Sequence, residues 1–245
     1  MQRPLRRVSF SVAGAALLVS SSAALAACGS GPGPASGSNS ASKLLSTALK
    51  NAIAGGWVHE VLSASEPGHS FSENNVIGTT SGRQYIVSDG AHSTTILVDH
   101  TVYLRGDVKT ITNYYHLPTK HPASIAGHWI SVASTSKAYK TTSTSVTLSS
   151  DFGHINLQGP LTEGSGTTLR GVRVIPINGT VKSASGTVTA TATFYVTAAG
   201  TTLPVEFRVI SGKILETITW GEWGRAITIA APAPSTPLSV ILKRG

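Results

Sequence analysis

Between Thr187 and Val196 the chain reads TVTATATFYV, so that Val188, Ala190, Ala192, Phe194 and Val196 fall on one side and Thr187, Thr189, Thr191, Thr193 and Tyr195 on the other. A period of two matches the pleat of a β-strand and no helix. The segment is therefore expected to be a strand with one dry face and one wet face. Val205, Phe207 and Val209 alternate with Glu206 and Arg208, and Ile214 to Trp220 and Ala226 to Ala230 supply two further strands. Four successive strands joined by short turns predict one large antiparallel sheet whose apolar side needs a cover of helices.

The N-terminal half supplies both helix and strands. Leu44, Leu45, Ala48, Leu49, Ala52 and Ile53 recur at helical spacing, with Ser42 placed to cap the start and Gly55-Gly56 to end it. Strand signals follow at Trp57 to Ala64, Ser70 to Gly78, Arg83 to Ser88, Ser93 to Val98 and Val102 to Leu104, with Gly, Asp, Pro and Asn between them. This reads as an antiparallel meander. Val108 to His116 is expected to form a short helix and His128 to Val132 a short strand. The Ser/Thr-rich stretch from Ser136 to Phe152 reads as partly helical.

Small side chains at Val188, Ala190 and Ala192 in mid-sheet allow two outcomes. Either a covering helix approaches closely, or a space remains, lined with carbon and few polar atoms, which suits an apolar ligand. On strand alternation alone, the lining of such a cavity would be Val188, Ala190, Ala192, Phe194, Val205 and Phe207.

The start of the chain bears on location. Arg3, Arg6 and Arg7 precede an apolar run from Val8 to Val19, a Ser/Ala segment, and Leu25-Ala26-Ala27-Cys28, which contains the only cysteine. This is the layout of an export signal, and it resembles a bacterial lipoprotein leader with a lipobox. That resemblance implies cleavage before Cys28 and acylation of its thiol, so residues 1–27 are expected to be a signal peptide. Acyl chains contribute roughly 0.8 kcal/mol per buried methylene, which would hold the protein at the extracytoplasmic face of the cell membrane. Two other readings stay open: an uncleaved anchor helix, which the serines from Ser20 to Ser22 cut short of the ~20 apolar residues a span requires, and a plain signal peptide with Cys28 a bystander. Residues 28–42, rich in Gly, Ser and Pro, read as a flexible tether, and residues 43–245 as a single domain.

Charge and motifs narrow the function classes. Without the three leader arginines, 16 basic residues face 11 acidic ones, a net charge of +5. Those basic residues are scattered, whereas nucleic-acid binders cluster them, so no nucleic-acid partner is expected. With one cysteine, no intramolecular disulfide can form. His116 and His121 flank Pro118 without a ligand spacing, which predicts surface histidines and no metal. Gly164-Ser165-Gly166 lacks the frame of a nucleophile elbow, and Asp89, Asp99 and Asp107 are isolated, so no paired carboxylates suggest glycosidase chemistry. No enzyme activity and no cofactor are expected. Asn178-Gly179-Thr180 reads as a turn. Trp220 and Trp223 are either packed in the core or form an aromatic pair at a membrane or partner surface.

Several short stretches recur in order in one known group: Gly127 to Val132, Leu169 to Val172, Phe194 to Val196 followed by Leu203 to Val205, and Trp220 to Gly224 with Ile227 to Pro232. In these the chain resembles the actinobacterial envelope lipoproteins of the LppX/LprAFG type, whose architecture is LolA-like. The resemblance implies an α+β fold, a large curved antiparallel sheet, or half-barrel of eleven or a similar number of strands, with helices across its concave apolar face. It also implies a hydrophobic cavity and lipid binding, as carrier or sequestering protein. The segment Ser136 to Phe152 departs from that pattern, since relatives carry a clearer apolar helix there. A reading of another class is a solidly packed structural or regulatory lipoprotein that docks a second envelope protein. No motif identifies a cognate transporter.

Overall fold

The computed structural model describes residues 36–115, 117, 119–143, 146–182 and 189–243. Cys28, His116, Pro118 and Val188 lie outside them. The first described element is helix α1 (Ser36–Ala54), followed by a five-stranded meander, β1 (Trp57–Glu66), β2 (His69–Gly78), β3 (Gly82–Ser88), β4 (Ala91–Val98) and β5 (Thr101–Gly106). Short elements follow: α2 (Val108–Asn113), α3 (Pro122–Ile125), β6 (Trp129–Ala133), α4 (Tyr139–Thr142) and α5 (Leu148–Phe152). The remainder comprises β7 (Gln158–Glu163), β8 (Thr167–Leu169), β9 (Val172–Lys182), β10 (Thr189–Thr197), β11 (Pro204–Ser211), β12 (Ile214–Gly221), β13 (Ser235–Pro237) and α6 (Leu238–Lys243).

All thirteen strands among the described residues belong to one sheet, in the order β13-β6-β5-β4-β3-β2-β1-β12-β11-β10-β9-β7, with β8 also on β9. The expected fold class is the observed one: an α+β half-barrel, open because β7 and β13 lie at opposite edges. Every pairing is antiparallel except β13 on β6. Strands β1 and β12 join the N-terminal and C-terminal meanders in a continuous register from His59 opposite Gly221 to Ser65 opposite Leu215.

Helix α1 buries Ala41, Leu45, Ala48 and Ala52 along one stripe, the spacing of a helix with one face on a sheet. It already runs through Ser42, which is therefore not its cap, and its buried stripe extends back to Ala41. It ends where Gly56 adopts φ +81°, a conformation that glycine accepts without a Cβ clash.

Other expectations need correction. Ala226 to Ala230 is not a strand: Ile227 and Ile229 alternate with exposed neighbours, but the segment has no ladder partner among the described residues, and after β12 pairing resumes at Ser235–Pro237. Asn178-Gly179-Thr180 is mid-strand in β9, opposite Thr193, Ala192 and Thr191. Gly179 is required there, since a Cβ would sit 2.7 Å from Leu161 Cδ2 and 2.9 Å from Leu157 Cγ. Strands β7, β8 and β9 carry little alternation and were not foreseen, nor was α3. Ser136 to Phe152 is partly helical, as α4 and α5.

The core divides in two. One cluster lies under α1 and α5, with Phe152, Phe194, Phe207, Ile218 and Trp220 at its centre. The other holds Leu97, Val102, Leu104, Ile111, Ile130 and Leu238. Between them runs a buried polar row on consecutive strands: Glu60, Asn75, Gln84 and Thr95.

Candidate functional site

Of the residues expected to line a cavity, Ala190, Ala192 and Phe194 do share the inward row of β10, and all three are buried. Phe207 meets Phe194 edge-on, ring centroids 5.8 Å apart. The small side chains admit close cover, since Cα atoms of α1 come within 8 Å of those of β10 and β11, and the stripe facing them is itself alanine-rich.

Val205 departs from the inward row. Val196 pairs with Pro204 while Tyr195 pairs with Glu206, so Val205 is the extra residue of a bulge, and the alternation resets around it. Val205 is half-buried, and Glu206, opposite Tyr195 on the face away from Phe207, is nevertheless buried. The Glu206 carboxylate is held by the guanidinium groups of Arg170, from the β8–β9 turn, and Arg208, the second of which lies over the Tyr195 ring.

The inward face of β12, β1, β2 and β3 holds a second group of acids. Cross-strand pairing sets Phe207, Ile218, Leu62, Glu73 and Ile86 in one row and Val209, Glu216, Ala64 and Phe71 in the next. Leu62, Ala64, Phe71, Glu73 and Glu216 are half-buried. Solvent reaches this part of the inward face, next to the closed cluster under α1.

The fully covered row beside these half-buried residues is polar. Glu60, 2% exposed, accepts from Trp220 Nε1 and from Asn75 Nδ2, each at 2.7 Å. Asn75 Nδ2 and Gln84 Nε2 also donate to Glu73 Oε2, each at 3.1 Å. A fourth carboxyl arrives from above. Gly82 lets the backbone at Val146 pass so close that a Cβ would lie 2.1 Å from its carbonyl oxygen. Thr147 then bridges to Gly78 and caps α5, its hydroxyl accepting from the Ser150 N–H. This brings the buried Asp151 carboxyl near the charges of Glu60 and Glu73.

Burial, and then the neighbouring Glu60 charge, push the Asp151 carboxyl well above the usual range. Burial, followed by the Glu60 charge, pushes Glu73 up to about 7 against the lowering effect of its amide donors. Burial alone takes Glu216 to about 7. No Lys, Arg or His forms an ion pair with any of these four acids among the described residues. Glu206, by contrast, has two arginines.

Glu60, Glu73, Asp151 and Glu216 lie far apart in the sequence. They reach one site because β1 and β2 are paired and α5 crosses above them, and no spacing along the chain signals this. Among the described residues no group of three His, Cys, Asp or Glu side chains is placed to hold a metal ion, and no helix is long and apolar enough to cross a membrane. Trp220 is a core residue, tilted against Phe152 and Phe194. Trp223 is half-buried and packs on Phe152.

No protein-family model matches the chain, and no curated protein matches it. Solved structures do. LprF from Mycobacterium bovis superposes with a TM-score of 0.51 at 15% identity, over 80% of this chain and 99% of LprF. The Mycobacterium tuberculosis lipoprotein LppX gives 0.49 at 14% identity, over 77% and 99%. An uncharacterised conserved protein from Thermus thermophilus gives 0.43 at 10% identity, over 81% and 98%. The fold of this chain is that of LprF, as the short motifs suggested.

Proposed function

We propose that this protein is an exported lipoprotein, anchored through acylated Cys28 at the extracytoplasmic face of the cell membrane, that binds an apolar ligand, a lipid, as carrier or sequestering protein. The observation that carries this reading is the half-barrel whose inward face has a closed apolar half under α1 and a solvent-reached half around Leu62, Ala64 and Phe71. Acyl chains that leave a bilayer for water lose roughly 0.8 kcal/mol per methylene. A recess of carbon atoms removes that cost without covalent chemistry, so neither catalyst nor cofactor is required. Because Ala190 and Ala192 lie against helical cover, the ligand enters by the recess next to them, with Phe207 and Phe194 forming its inner wall.

The test uses vesicles carrying a pyrene-labelled phospholipid. The protein is expected to withdraw label from donor vesicles, and Leu62→Trp, which fills the recess, is expected to abolish withdrawal while leaving thermal stability within a few degrees. Failure of the unaltered protein to take up any label would contradict the reading.

A further inference from the structure

The outward face of the N-terminal meander carries charge of one sign. Cross-strand partners share a face, so Val61, Asn74, Tyr85, Thr94 and Arg105 form one outward row, and His59, Val76, Arg83, Ile96 and Tyr103 the next. The arginines of β1 to β6, Arg83 and Arg105, both lie here. The acids of those strands, Glu60, Glu66 and Glu73, all take inward positions. Asp89 and Asp107, in the adjoining turns, are already engaged: Asp89 with the Ser70 N–H and His69, Asp107 with the N–H groups of His92 and Thr110. An anion that approaches this face meets cations and no opposing carboxylate.

A depression of about 590 Å³ lies in it, bordered by Val61, Ser72, Asn74, Arg83, Tyr85 and Thr94, a size within the ~300–1,000 Å³ of small-ligand sites. Glu73 also borders it, with its carboxylate drawn inward to Asn75 and Gln84. Tyr85 is 42% exposed yet held in place, its hydroxyl 2.9 Å from His92 Nδ1 and its ring stacked on the imidazole. A fixed, exposed aromatic face receives the weakly positive C–H groups of a sugar ring. Asn74 Oδ1 accepts from His59 Nε2 at 3.1 Å, which leaves the Asn74 amide N–H groups to donate, and Ser72 and Thr94 add hydroxyls. Arg83 is exposed and forms no ion pair among the described residues. Its planar fork matches a carboxylate or a phosphate.

We propose that this outward depression binds a sugar ring carrying a carboxylate or phosphate group, with Tyr85 against the ring, Arg83 on the anion, and Ser72, Asn74 and Thr94 on the hydroxyls. The site is on the opposite face of the sheet from Leu62 and Phe71, so it stands apart from the apolar-ligand function. Anionic lipid headgroups would also meet Arg83 and Arg105. A membrane-binding surface, however, buries apolar side chains among its cations, whereas hydroxyl and amide groups dominate this lining and Val61 is its one aliphatic side chain.

The experiment titrates the Cys28→Ser protein by NMR with trigalacturonate, with its methyl ester and with citrate, and sediments it with phosphatidylglycerol vesicles. Trigalacturonate is expected to bind about tenfold more tightly than the ester, which lacks the charge, and than citrate, which lacks the ring. Arg83→Ala is expected to reduce its affinity to that of the ester, and Tyr85→Ala to weaken the ester as well. Arg173→Ala, which removes an exposed arginine on β9, is expected to change neither. Arg83 and Tyr85 are exposed, so their replacement leaves the fold intact. Ester or citrate binding as tight as that of trigalacturonate overturns the proposal, as does trigalacturonate binding that survives Arg83→Ala. Absence of trigalacturonate binding overturns it too, and vesicle binding lost in Arg83→Ala would then mark the face as a membrane surface.

Discussion

Trp220 donates its indole N–H to the Glu60 carboxylate over 2.7 Å, across 160 positions of sequence. The bond lies on the β1–β12 seam, where the two meanders become one sheet. It also sets the edge of the polar row that divides the core. Removing the donor leaves a buried carboxylate oxygen unpaired, and such a loss costs about 1–3 kcal/mol. Trp220→Phe, which keeps an aromatic ring against Phe152 and Phe194, is expected to lower the urea-unfolding free energy by that amount. An unchanged midpoint would contradict the role given to this bond.

Stability should fall as pH rises from about 4.5 to 7. Glu73 and Glu216 have folded-state values of about 7 against an ordinary 4.5, and Asp151 is raised as well. In that window the folded state binds more protons than the unfolded chain, so the slope of stability with pH is negative. Each group contributes at most on the order of 1 kcal/mol per pH unit. The contribution is fully present below pH 4.5 and is lost above 7. Thermal melts are expected to show a higher Tm at pH 5 than at pH 7.5, with the difference reduced in Glu73→Gln.

The small-residue contact between α1 and the sheet is tight. Ala190→Trp is expected to destabilise by about 1–3 kcal/mol through overpacking, read as a shift in denaturation midpoint. If the variant is as stable as the parent, the space beside β10 is open and the ligand site extends further under α1.

How much of this was legible in the chain depends on whether a residue's partner could be inferred from spacing. Thr189–Thr197 was, since its alternation runs unbroken and β9 pairs with it residue for residue. Val205 was misplaced because a single bulge residue shifts the phase, and nothing local to Pro204–Ser211 marks the shift. Ala226 to Ala230 has the alternation of a strand, but ladder partners decide strands, and this segment has none among the described residues. The acids were invisible as a group: Glu60 and Glu73 sit at inward positions of well-read strands, while Asp151 arrives from α5 in the least regular part of the sequence. Pattern located the strands; only pairing brought the carboxyls together.

Arg170, at a positive φ of 48° in the β8–β9 turn, reaches the buried Glu206 carboxylate. Arg170→Ala leaves Arg208 as the remaining partner and is expected to cost about 1–3 kcal/mol, with Glu206→Gln in the same background recovering part of the loss. Additive losses in the double variant would contradict a direct coupling between the two.

The most direct test of the carrier account is the mass of the Cys28→Ser protein, purified without detergent, measured under native conditions before and after organic extraction. The account predicts a species near one lipid per chain that extraction removes and added lipid restores. A single ligand-free mass that takes up no added lipid would contradict it and favour a packed domain that docks another envelope protein.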